Sequence, residues 1–176
     1  KGVEAKTRKL FSGCRKRRLA ITCLVNKCDR VGVDPLQLLD DVSTDLGIDC
    51  FAASWPARVD GRLAGLSDRL SGKIHLFTSQ GDHGQTRLEA RIVDLDDPAV
   101  EAHLGESGAA TFREELHLLD EVGTAWDPEE VSAGRLTPVF FGSALTNAGV
   151  ELLLRHFLEL APSPAPRESG GEPLDP

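Results

Sequence analysis

Two short clusters in the chain hold residue types suited to recognising a purine: Asn26-Lys27-Cys28-Asp29 and Gly142-Ser143-Ala144-Leu145. An ionised Asp29 carboxylate presents two acceptor oxygens side by side. They match the ring N–H and exocyclic amine of guanine in a bidentate, charge-assisted pair. Adenine lacks that two-donor edge. Hydrogen bonds to a charged group contribute roughly 1.5–3 kcal/mol each, so such a pair can decide base identity. Asn26 can donate to the ring nitrogen on the other edge and tie neighbouring loops together. Lys27 can lay its methylene stem on the base face while its ammonium stays polar. In the second cluster small residues let the backbone approach a ligand closely. The Ala144 N–H can then donate to the 6-oxo group of guanine, and Ser143 can brace Asp29 or its own loop. Each tetrapeptide alone also suits a capped turn or a plain strand-to-helix turn. What distinguishes them is that both follow apolar strands, where ligands bind in α/β sheets.

The surrounding pattern supplies those strands. Leu19–Val25 is a seven-residue apolar run, read as a strand buried on both faces, and Pro138-Val139-Phe140-Phe141 is read as a second. Residues 34–46 are predicted to be a helix, with Asp34 as N-cap, Pro35 in the first turn and Gly47 as stop. Leu36, Leu39, Val42 and Leu46 form its apolar stripe, and Ile48–Ala53 returns as a strand. Residues 5–18 are predicted to be a helix with Leu10, Phe11 and Cys14 on one face. Its other faces carry Lys6, Arg8, Lys9, Arg15, Lys16, Arg17 and Arg18. Between the two site-bearing pieces the chain changes character. Short strands are expected at Lys73–Thr78 and Arg87–Val93, joined by a hairpin loop at Gly81-Asp82-His83-Gly84, and helices at 97–104, 107–122 and 128–134. Asp127 and Pro128 mark the start of the last of these. A final helix over 148–160 is read with Val150, Leu153, Leu154, Phe157 and Leu158 as its core face. The expected fold class is therefore α/β with an α+β insertion. The pieces are 1–54, an insertion over 55–133, a last strand and helix over 134–161, and a proline-rich linker over 162–176 toward a further domain.

Composition narrows the functional classes. A net charge of −8 argues against the whole surface binding nucleic acid, although a ribosomal RNA or phosphate contact by the basic helix stays open. No apolar run approaches the ~20 residues of a membrane span. The four cysteines lack CxxC spacing and are read as reduced thiols of a cytosolic protein. The five histidines form no HExxH or Cys/His cluster and are expected at surface or edge positions, so no metal site is assigned. The sequence contains no Met, which suggests a segment of a longer protein.

The two clusters resemble the guanine-recognition motifs of translational GTPases. The likeness extends through Gly2-Val3-Glu4-Ala5, Thr7-Arg8-Lys9-Leu10-Phe11 with Cys14-Arg15, and Asp34-Pro35-Leu36 to Leu46-Gly47-Ile48. It continues in Trp55-Pro56, Leu136 to Leu145, Gly149-Val150-Glu151 and Leu158 to Pro162. Within that superfamily the chain is most similar to the bacterial peptide chain release factor 3 family, with elongation factor G the nearest alternative. The resemblance covers nearly the whole chain, more weakly over 56–133, and departs from the family at Cys28 and around Ala57-Arg58-Val59. It implies an incomplete P-loop NTPase-type G domain with an insertion subdomain. Asn26, Lys27, Asp29, Ser143, Ala144 and Leu145 are then the guanine-binding residues, and GTP or GDP the ligand. It further implies a cytoplasmic factor that recycles codon-reading release factors from the ribosome, with no membrane and no sequence-specific DNA as partner.

The phosphate loop GxxxxGK[ST] does not occur; the pair Gly72-Lys73 is followed by Ile74. Asp-x-Pro-Gly for the magnesium side is absent as well. The expectation is a base-reading segment with no catalytic residue of its own, whose Mg²⁺ ligands lie upstream in the parent, and whose sheet edge is exposed. A competing reading from another class is a ribosome- or protein-contacting module without a nucleotide role.

Overall fold

The computed structural model describes residues 3–17, 19–80, 87–161, 167–169 and 172–174. Gly2, Arg18, the loop Gly81–Gly84 and residues 162–166 of the expected linker lie outside these. In chain order the elements are α1 (Ala5–Lys16), β1 (Cys23–Val25), α2 (Pro35–Leu46), β2 (Asp49–Ala52), β3 (Ser54–Val59), β4 (Arg62–Asp68), β5 (Lys73–Gln80) and β6 (Arg87–Asp94). These are followed by α3 (Pro98–Glu121), α4 (Pro128–Ser132), β7 (Leu136–Phe141), α5 (Val150–Leu160), β8 (Arg167–Ser169) and β9 (Glu172–Leu174).

Two sheets dominate. A parallel sheet has the order β1-β7-β2, with Val25 opposite Phe141 and Ala52 opposite Val139. All six residues of β7 are buried, as befits a central parallel strand. The second sheet is an antiparallel meander, β3-β4-β5-β6. Its first two strands were not apparent in the sequence. They meet at Asp60-Gly61, where both residues have positive φ (51° and 73°), as a tight two-residue hairpin turn requires. β8 and β9 pair with each other in an antiparallel register.

The sheets share one core. Ser54, at the start of β3, accepts from the Phe141 N–H at 2.8 Å through its hydroxyl. Trp55 packs edge-on against Phe141, with ring centroids 5.1 Å apart, and its indole N–H donates to Glu115 of α3 at 2.7 Å. Arg69 stacks over Phe51 at 4.7 Å and donates to the Ala52 carbonyl at 2.9 Å and to Asp120 at 2.6 Å.

Helix starts follow the cap chemistry. Asp34, Asp97 and Asp127 each accept from backbone N–H groups of the first turn, and each precedes a proline. Gly47 closes α2 in the left-handed conformation. The two helices expected near 97–104 and 107–122 form one element that breaks at Gly105 (φ 75°, ψ 162°).

Four expectations are corrected. The run Leu19–Val25 is a strand only at Cys23–Val25, and those residues are half-buried. The Leu19 N–H instead donates to Cys14 at the end of α1, and β1 pairs with β7 on one side only among the described residues. Leu10 is exposed, because α1 faces α2 through Arg8, which grips Asp45 at 2.7 and 2.8 Å, and Arg15, which donates to the Leu46 and Gly47 carbonyls. Two of the helix's basic residues thereby serve the C-terminal end of α2. The inward residues of α5 are Leu152 and His156, whereas Leu154, Phe157 and Leu158 are exposed. Finally, His75 and His156 are buried rather than at the surface or edge. His156 is drawn in by Asp68, whose two oxygens both lie 3.0 Å from its Nε2. His83 lies outside the described residues.

Candidate functional site

The two clusters leave the ends of neighbouring parallel strands, β1 and β7, so the sheet itself brings them together. Three hydrogen bonds stitch them. The Gly142 N–H donates to the Val25 carbonyl at 3.0 Å, the Cys28 N–H donates to the Gly142 carbonyl at 3.0 Å, and the Ala144 N–H donates to Asn26 Oδ1 at 2.9 Å. Asn26 Oδ1 also accepts from the Lys27 N–H at 2.8 Å. The side-chain oxygen of Asn26 thus ties the loops.

Lys27 has a φ of 71°, a left-handed value that is costly for a residue with a β-carbon. The turn it makes sends Cys28 inward, where its thiol donates to the Val25 carbonyl at 3.2 Å. Burial pushes that thiol above its ordinary value, against smaller lowering effects of the Gly142 hydrogen bond and the Arg58 charge. Cys28, where the family resemblance leads one to expect Leu or Met, therefore fills an apolar position. Asn26 and Lys27, just before the inward Cys28, stay exposed.

Asp29 is partly covered. Its Oδ2 lies 3.9 Å from Arg30 Nε, a loose local pair, and the side chain is 18% exposed. Its Oδ1 is buried and has no hydrogen-bond partner among the described residues. A carboxylate oxygen shut off from water without donors costs about 1–3 kcal/mol or more and calls for an explanation.

The second loop is built by its glycine. A β-carbon on Gly142 would stand 2.6 Å from the Ala148 carbonyl oxygen, so only glycine fits. Ser143 is fully buried and braces its own loop, accepting from the Thr146 N–H at 3.4 Å; it does not reach Asp29. Ala144 is exposed, and its N–H, expected to face a base carbonyl, is engaged by Asn26. Leu145 is exposed at the same rim. Sequence reasoning found the two loops but missed Arg58, whose side chain borders the hollow beside Asn26 and Lys27. Its only signal was the departure at 57–59.

Across residues 1–163 the chain matches the family model described as the elongation factor Tu GTP binding domain. The chain belongs to that family. Its mixed α/β fold is that of a P-loop NTPase-type G domain. The chain is 42% identical over its full length to the peptide chain release factor 3 of Synechocystis sp., and 44% identical to that of Symbiobacterium thermophilum. It spans 32% and 33% of those proteins, about a third of their length. A crystal structure from Thermus thermophilus superposes on this chain with a TM-score of 0.62 at 24% identity, covering 92% of this chain and 25% of the other; that likeness concerns the fold alone. Among the described residues no helix is long and apolar enough to cross a membrane.

Proposed function

We propose that this chain is the guanine-reading part of a GTP-binding translation factor of the release factor 3 kind. In this reading residues 1–54 and 134–161 are two pieces of the G domain, 55–133 is an insertion subdomain, and 162–176 leads toward a further domain. The whole protein promotes recycling of codon-reading release factors from the ribosome in the cytoplasm. The identity of this chain, over all its residues, to about a third of proteins named peptide chain release factor 3 supports that role over an elongation factor G-like one.

The observation that carries the reading is the Asp29 carboxylate, 18% exposed and without a hydrogen-bond partner among the described residues, beside two loops that are hydrogen-bonded to each other. Asp29 would take the ring N–H and exocyclic amine of guanine. Asn26 would hold the second loop with its oxygen and serve the other base edge with its amide nitrogen. Lys27 would cover the base face. Ser143 and Leu145 shape the loop and its rim, and Ala144 would reach the base only by sharing its N–H with Asn26. The triphosphate and Mg²⁺ would be held by the phosphate loop and magnesium motif that this sequence does not contain, so hydrolysis belongs to the whole protein, through positioning and electrostatics at the phosphates. This segment supplies base identity.

The test is Asp29→Asn in the full-length protein. An amide presents a donor where xanthine has a carbonyl, so binding is expected to move from GTP toward xanthosine triphosphate, by about tenfold or more for each charge-assisted bond exchanged. Competition binding of the two nucleotides measures it, and an unchanged preference refutes the assignment.

A further inference from the structure

We propose that the outward face of α1 docks on the phosphate backbone of RNA through Lys6, Lys9, Lys16 and Arg17, by charge and independently of guanine binding. The helix contains no acidic residue, and Arg17 is its C-cap. Two of its cations are engaged inside the fold: Arg8 grips Asp45, and Arg15 donates to the Leu46 and Gly47 carbonyls. Lys6, Lys9, Lys16 and Arg17 are exposed, and among the described residues none of them has a side-chain hydrogen bond or ion pair. At 3.6 residues per turn, positions 6, 9, 13, 16 and 17 fall on one stripe. Phe11 and Cys14, both partly covered, lie on the other side of the helix, and Arg8 and Arg15 point across to α2. The fold thus uses the cations that face it and leaves a row of four facing away.

Gly13 sits in the middle of this row, with Lys9 one turn before it and Lys16 and Arg17 one turn after. Glycine weakens a helix interior relative to alanine, and nothing in the fold calls for it, because a β-carbon there would meet no atom within 4 Å. A gap between cations lets a partner's backbone come close to the helix. From Lys6 to Arg17 the stripe runs about 16 Å, the axial length of roughly five phosphates of one strand. The rest of the molecule favours a polyanion at this face and nowhere else. The chain carries a net charge of −8, so its other surfaces repel phosphates while the stripe attracts them. Leu10, 67% exposed, is the one large apolar side chain that α1 leaves open, and the helix's single aromatic, Phe11, is turned inward against the core. The stripe therefore lacks the apolar face of a membrane-surface helix and the aromatic anchor typical of a protein interface. Lysines on a helix surface contact phosphates without reading bases, so recognition is independent of sequence.

The test is binding of a labelled single-stranded RNA by the full-length protein, followed against salt. Each phosphate contact contributes roughly 0.7 to the slope of log affinity against log salt. Replacing Lys6, Lys9, Lys16 and Arg17 together by Gln is expected to remove about 3 from that slope. The affinity ratio of wild type to variant then falls about 50-fold as salt rises from 50 to 200 mM. Lys9→Gln alone should lower the slope by about one contact, whereas Arg8→Gln, which removes the same charge from a paired residue, should leave it unchanged. Guanosine diphosphate affinity is expected to match wild type in Lys9→Gln and in the fourfold variant; should the latter lose it, the comparison of Lys9→Gln with Arg8→Gln decides. A slope common to wild type and a folded fourfold variant overturns the proposal. So does an equal effect of Lys9→Gln and Arg8→Gln, which would mark net charge and not this face. Wild type that binds polyglutamate or phosphatidylserine vesicles but not RNA overturns it too, and assigns the stripe to an acidic protein or a membrane. None of these outcomes bears on the guanine reading.

Discussion

At Lys27 the backbone accepts a left-handed φ between a half-buried strand and a partly covered carboxylate, and that one residue decides which side chains face outward. Strain of this kind costs about 1–3 kcal/mol and survives only where the surroundings over-determine it. Here the surroundings are the hydrogen bonds from Gly142, Cys28 and Ala144 that lace the two loops. Gly142 sits at the crossing point. Its N–H and carbonyl both bind the first loop, and the Ala148 carbonyl fills the space a side chain would need. Gly142→Ala must therefore displace backbone on both sides. It is expected to destabilise the protein by about 1–3 kcal/mol, as overpacking does, read as a lower urea midpoint, and to weaken nucleotide binding with it. A midpoint equal to wild type contradicts the view that this contact is tight. The pairing of Asn26 with the second loop was legible in the sequence, since both motifs follow strands. The use of the Ala144 N–H was not. Which acceptor wins that donor depends on a distance between loops 118 residues apart.

Three of the five helix starts among the described residues repeat one device, an aspartate cap followed by proline. At α2 the device has a second role, because Asp34 ends the loop that carries Asp29. Its Oδ1 accepts from the Leu36 and Gln37 N–H groups at 2.8 and 3.3 Å. Asp34→Ala is expected to cost about 0.5–2 kcal/mol, measurable by urea denaturation, and Asp34→Asn should restore most of it; equal losses in both would mean that the charge, not the cap, matters. Such signals made α2 and α4 readable in advance, because a cap is local. The failures were non-local. Strand β3 contains Pro56 and Arg58, and β4 contains Gly65, residues that weaken a strand pattern. The two nevertheless pair with each other, and Gly65 lets the β5 backbone approach β4: a β-carbon there would stand 2.8 Å from the His75 carbonyl oxygen. The apolar stripe on α5 read as a core face, yet the helix turns Leu152 and His156 inward instead. Periodicity counted apolar residues and had no means of foreseeing a buried aspartate from another sheet.

That aspartate connects the two halves of the molecule. Asp68 ends β4 in the antiparallel sheet and is fully buried. It accepts from the Ser71 hydroxyl at 2.5 Å, from Arg155 Nη2 at 3.0 Å and from His156 Nε2 at 3.0 Å, the last two on α5, which packs with the parallel sheet. His156 Nδ1 in turn lies 3.1 Å from Glu159. Burial by itself would raise the Asp68 carboxyl; the hydrogen bonds from Ser71 and His156 and the His156 charge together outweigh it and hold the group below its ordinary value. A carboxyl whose pKa is depressed in the folded state binds protons less readily there than in the unfolded chain. Its contribution to stability is therefore complete above the unfolded value of about 3.9 and is lost as pH falls through the lower folded value. Asp68→Asn removes the charge and leaves the His156 and Arg155 donors facing an amide. Breaking one side of a buried pair costs about 3–5 kcal/mol, with the Arg155 share smaller because its side chain is 48% exposed. The expected outcome is a wide stability gap between wild type and variant near neutral pH that narrows as the pH is lowered below about 4. Urea denaturation followed across that range decides it. A gap of the same width at every pH would mean that Asp68 acts through packing rather than charge. Two separate unfolding steps in wild type would mean that the sheets do not depend on this connection at all.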